Sequence, residues 1–130
     1  MLKPRTTQDA EDMVADLKDR LDFSKRQLVD TIHRLVIRMF GTSTSRLFGV
    51  AGFSSDDNAR GALVLLLHKH PQLQLDRRWI AEFLSCEVRH IDLYVRATQE
   101  VLRDNIGGDF EKRFESICRH VGIQIPAFLA

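Results

Sequence analysis

Apolar residues recur at helical spacing along most of the chain, and turn-forming residues interrupt them at a few places. From about Ala10 to Phe40 there is neither glycine nor proline, while Val14, Leu17 and Leu21, then Leu28, Ile32, Leu35, Val36, Met39 and Phe40, keep a period near 3.6. The stripe lapses near Phe23-Ser24, so the pattern predicts either one long helix or two in series. Gly41 stops it, and Thr42-Ser43-Thr44-Ser45 supplies a cap for a short turn ending at Leu47-Phe48. Gly49 to Gly52 reads as a loop, with Ser54 or Ser55 capping a helix whose first turn carries Asp56 and Asp57. Its interior, Ala62 to Leu67, is apolar nearly all round and should form the centre of the core. Pro71 ends it, after His68, Lys69 and His70 at the end where cations suit the helix dipole.

The stretch Asp76 to Leu102 reads as a short helix, a tight turn and a longer helix. Asp76 is a good N-cap for a helix that Arg77 begins. Ile80, Ala81 and Leu84 give that helix a close-packing face, and Ser85-Cys86-Glu87 is small and polar enough to turn the chain. Ile91, Val95, Thr98 and Leu102 then form an inner stripe, which leaves Arg89, His90, Leu93 and Arg96 pointing elsewhere. A helix-turn-helix DNA reader needs this arrangement: a packed first helix, a compact turn, and a β-branched residue one turn into the second. A plain helical hairpin inside an all-α domain produces the same spacing.

Asp104 to Gly108 is a clear stop. Asp109 can cap a last helix with Phe110, Phe114, Ile117, Cys118 and Val121 on its apolar side, closed by Gly122. The tail from Ile123 to Ala130, apolar around Pro126, either folds back on the core or lends Phe128-Leu129 to another surface. The expectation is therefore an all-α chain in three parts. Residues 1–30 form a lead-in and acidic helix, 31–122 the helix-turn-helix bundle, and 123–130 an apolar tail.

Charge and composition alter this picture only a little. With 130 residues there is room for one core and an extra helix. No apolar run approaches the roughly 18 residues of a membrane span. The start, MLKPRTTQDAEDM, lacks the apolar core of a secretory signal, so a cytoplasmic location with no membrane partner is expected. Net charge is only +1, which gives little general attraction for nucleic acid. Yet residues 9–22 hold six acidic side chains and two basic ones, so the remainder is net basic. That acidic helix either packs on a partner subunit, allowing a homodimer, or covers its own core. Cys86 and Cys118 have no metal-ligand spacing, and the five histidines have no accompanying nucleophile, so neither a cofactor nor an enzyme is expected.

From about Thr31 onward the order Ile32, Val36, Phe40-Gly41, Ser43, Leu47, Ala59-Arg60, the 62–67 core, Leu75, Ile80, Leu84-Ser85 and Ile91 resembles the C-terminal DNA-binding domain of the bacterial replication initiator DnaA. The likeness covers roughly 90 residues, about the size of one small domain, and implies a Trp-repressor-like helix-turn-helix bundle that binds double-stranded DNA. That family reads its box through a run like G-G-R-D-H-T-T-V. Here the run is Ser85-Cys86-Glu87-Val88-Arg89-His90-Ile91, so the initiator's own box is not the expected target. The family's basic loop is here Ser54-Ser55-Asp56-Asp57, while Arg60 keeps its place. No GxxxxGK[ST] loop is present. The chain thus resembles stand-alone derivatives of the module, such as the transcriptional activators of gene transfer agent clusters.

On that resemblance Arg89 and His90 are the base-reading candidates, through a guanine or another purine acceptor. Glu87 either accepts from a cytosine amino group or holds Arg89 in place, and Cys86 makes only a weak or apolar contact. Arg60, Arg77, Arg78, Arg96, Ser85 and Arg46 are the phosphate candidates. For each arginine the plainer account is a solvated helix face. An activator would also need RNA polymerase or another regulatory protein, met through the acidic segment or the tail. The rival expectation is an all-α adaptor that keeps the fold without binding DNA.

Overall fold

The computed structural model describes residues 6–48 and 56–130, and among these every regular element is a helix. The elements are α1 (Thr7–Asp19), α2 (Phe23–Phe40), α3 (Thr44–Leu47), α4 (Asp57–Lys69), α5 (Arg77–Leu84), α6 (Val88–Asp104) and α7 (Asp109–Val121), followed by a 3-10 turn at Ile125–Phe128. The expected loop Gly49 to Gly52 and the caps Ser54 and Ser55 lie outside the described residues.

Local chemistry sets most of the boundaries. Thr6, Asp22, Ser43 and Asp76 each turn a side-chain oxygen onto a first-turn N–H, of Asp9, Lys25, Arg46 and Arg78 respectively. The stretch from Ala10 to Phe40 is two helices in series, and the break falls slightly before Phe23, where Asp22 caps α2. Gly41 and Gly122 close α2 and α7 in the left-handed conformation, at φ 62° and 73°. The last helix starts differently from expectation. Gly108, not Asp109, occupies the cap position, and the Asp109 carboxylate accepts instead from Arg113 one turn on.

α4 is the hub. Its residues Gly61 to Leu67 are all buried, and α2, α5, α6 and the 3-10 turn pack around it. α1 lays Ala10, Val14 and Leu17 inward against α2, α3 and α5, so the acidic helix covers this chain's own core with its acidic side chains outward. The tail folds back. Phe128 is fully buried, edge-on to Phe114 at 5.4 Å, while Gln99 donates to its carbonyl at 2.8 Å and Arg103 donates to the carbonyl of Leu129. His70 does not serve as an exposed cation at the end of α4. It is buried, and burial pushes its pKa down, while His68 bonds the carbonyl of Leu75 through Nδ1 at 3.0 Å. No helix of the described residues is long and apolar enough to cross a membrane.

Candidate nucleic-acid interface

The turn between α5 and α6 is built from its C-cap. Ser85 sits at φ 53° and ψ 44°, and its N–H closes the last turn of α5 on the carbonyls of Ala81 and Glu82. A left-handed conformation is costly for any residue with a β-carbon, which is why glycine usually holds this place. The Ser85 hydroxyl is buried and has no hydrogen-bond partner among the described residues. Ser85 shapes the turn through its backbone, and its side chain, expected among the phosphate candidates, is buried in this structure. Cys86 follows, half-buried against the core, with its N–H on the carbonyl of Ala81 at 3.0 Å.

Below the turn, Ile80, Ala81 and Leu84 of α5 and Ile91 of α6 are buried together in the core. Thr98 and Leu102 continue the inner stripe of α6, and Val95 is partly covered. The outer side of α6 thus carries Arg89, Leu93 and Arg96 exposed, with His90 half-buried beside them. Leu93 is 57% exposed, which leaves an apolar side chain between two arginines.

The arginines do not behave alike. Arg77 grips Asp92 with two bonds from Nη1, at 2.8 and 2.6 Å, and so braces the start of α5 against α6. Sequence reasoning did not anticipate this partner; a basic residue opening one helix and an acid early in the next was the available signal. Arg89 Nε lies 2.8 Å from the Glu87 carboxylate, with both side chains mostly exposed. Arg78 and Arg96 are exposed and make no side-chain hydrogen bond or ion pair with described residues.

Arg60, expected among the phosphate contacts, is held by partners within the chain. Its side chain is only 12% exposed; Nε donates to the carbonyl of Leu47 at 2.9 Å, Nη2 to that of Arg46 at 2.7 Å, and Nη1 meets Asp57 at 3.0 Å. It ties α3 to α4. Arg46 lies nearby, its Nε on the buried carboxylate of Asp56 at 3.1 Å. The Tyr94 hydroxyl donates to Asp57 at 3.2 Å, so one carboxylate receives both α4 and α6; burial, with Asp57 beside it, raises the Tyr94 pKa.

A second polar cluster lies under a groove of about 560 Å³ between α1 and α2. Lys18 Nζ is 2.9 Å from Asp30 Oδ1 and 2.9 Å from His33 Nδ1, and His33 Nε2 is 3.4 Å from the Thr44 hydroxyl. Because Lys18 can only donate, Nδ1 must accept, and the imidazole proton stays on Nε2 toward Thr44. Burial, reinforced by the Lys18 charge, lowers the His33 pKa to about 4. The described residues contain no group of three or more histidine, cysteine, aspartate or glutamate side chains placed to hold a metal ion, and the two cysteines form no disulfide. Comparison with protein-family models, curated proteins and solved structures returned no match.

Proposed function

We propose that this chain is a sequence-specific regulator of transcription that binds double-stranded DNA, with α5, the Ser85 turn and α6 acting as an initiator-like helix-turn-helix and α6 lying in the major groove. One observation carries the reading. The inner stripe of α6 is locked by Ile91, Thr98 and Leu102, while Arg89, His90, Leu93 and Arg96 stand outside the packed core at its leading half. Arg89 and His90 reach base edges, Leu93 offers an apolar contact of the kind a thymine methyl accepts, and Arg78 and Arg96 meet phosphates. The first experiment is a polarisation titration with random duplex at low and raised salt. Salt-sensitive binding supports the reading, and no binding at low salt rejects it.

A specific observation favours a second reading, an all-α interaction module. Phe23 is 63% exposed at the rim of the groove between α1 and α2, and that groove is walled by Val14, Ala15 and Ile37. The same titration separates the two, because an adaptor leaves random duplex unbound at every salt concentration.

A further inference from the structure

Glu87 occupies the N-cap of α6 in extended conformation, at φ −81° and ψ 150°, yet it makes no side-chain bond to the helix N–H groups. The aspartates Asp22 and Asp76 cap their helices through the side chain, whereas the longer glutamate is not a usual N-cap residue and is left free to reach elsewhere. Its carboxylate lies instead on Arg89 Nε at 2.8 Å. Residues two apart do not face one another inside a helix, so this pair exists only because Glu87 stands just outside α6. The cation best placed to reach DNA from the tip of α6 therefore has an anion beside it, at the end of the helix that would first approach a phosphate backbone.

We infer that Glu87 masks Arg89 from phosphates and releases it only to a guanine that has a cytosine amino group within reach, which makes Glu87 a specificity-determining residue. The inference rests on the DNA reading proposed above. On non-cognate DNA the pair stays closed, because opening it toward a phosphate leaves the carboxylate facing a second anion with no donor. On a G·C-containing site both halves are satisfied: the guanidinium donates to guanine O6 and N7, and the carboxylate accepts from cytosine N4. The near-neutral chain thereby holds its general affinity for DNA low and its discrimination high.

The test measures random-duplex binding against salt for the wild type, Glu87→Gln, Arg89→Ala and the double variant, with thermal midpoints to verify folding. Masking predicts that Glu87→Gln tightens random-duplex binding roughly fivefold at about 50 mM salt and steepens the salt slope by about 0.9, the contribution of one added phosphate contact. In the Arg89→Ala background the same substitution can relieve only the repulsion between the carboxylate and DNA, and should tighten random-duplex binding much less. Glu87→Gln should also narrow the preference for a duplex selected by the wild type over random duplex. An unchanged Glu87→Gln, or equal tightening with and without Arg89, overturns the inference while leaving DNA binding in place. Absence of salt-sensitive binding by both the wild type and Glu87→Gln removes the DNA reading, and this inference with it.

Discussion

A β-carbon at Gly61 would lie 2.3 Å from the Oγ1 of Thr98, so α4 and α6 meet where only a glycine fits. This contact sets how deeply α6 sits on the core and hence how far its outer face stands out. Gly61→Ala should therefore destabilise the fold by about 1–3 kcal/mol in urea denaturation, despite alanine's better helix propensity. Thr98→Ala in the same chain should remove most of that loss. Equal losses for Gly61→Ala with and without Thr98 would show that the helices do not meet there.

Ser85 gives the opposite sign. Its left-handed backbone and its buried hydroxyl, without a partner among the described residues, both disfavour serine. Ser85→Gly should raise stability by about 1 kcal/mol, and Ser85→Val should lower it by more than that. A destabilised glycine variant would mean that the hydroxyl has a partner in solution.

Arg60 separates structural arginines from those proposed to contact DNA. Replacing it by alanine leaves the carbonyls of Arg46 and Leu47 without this donor and should cost on the order of 2 kcal/mol of stability. The salt slope of DNA binding by the folded variant should stay that of the wild type. A slope lower by about one would place Arg60 on a phosphate after all.

His33 makes stability depend on pH. Its folded pKa, about 4, lies below the unfolded value of 6.5, so the unfolded chain takes up a proton first as pH falls. The contribution is therefore complete above pH 6.5 and is lost progressively down to about pH 4, on the order of 3 kcal/mol in total. Lys18, Asp30 and Arg34 are the charges around it. Burial works against Asp30 ionisation, but the Lys18 bond and the nearby cations hold its pKa below the usual 3.8, so its own contribution is lost only at lower pH. Unfolding free energies between pH 7 and 4 should fall for the wild type and much less for His33→Gln. Parallel curves would contradict a neutral buried His33.

Much of the fold was legible because its signals are local. Asp76 before Arg77, the glycines at 41 and 122, and the unbroken run from Ala62 to Leu67 each act within a turn or two of their own position. Phe128 was legible only as one of two options, since nothing beside it in the chain shows that Phe114 would receive it. The candidate site was harder to read. Arg60 looked like a surface cation until folding brought it to carbonyls 13 and 14 residues earlier, and Lys18 meets His33 across 15 residues. Ser85 was read as polar and small, but its backbone conformation, not its hydroxyl, is what the turn uses. Gly61 could have been noticed, since a glycine inside so apolar a helix signals close approach.

On the proposed reading, α6 reads bases through Arg89 while Arg78 holds phosphates. The most direct measurement compares Arg89→Ala and Arg78→Ala on a selected duplex and on random duplex across a range of salt. Arg89→Ala should cost about 1–3 kcal/mol on the selected duplex with little change on random DNA, whereas Arg78→Ala should weaken both alike and lower the salt slope by about one. Equal losses on selected and random DNA for Arg89→Ala would contradict it.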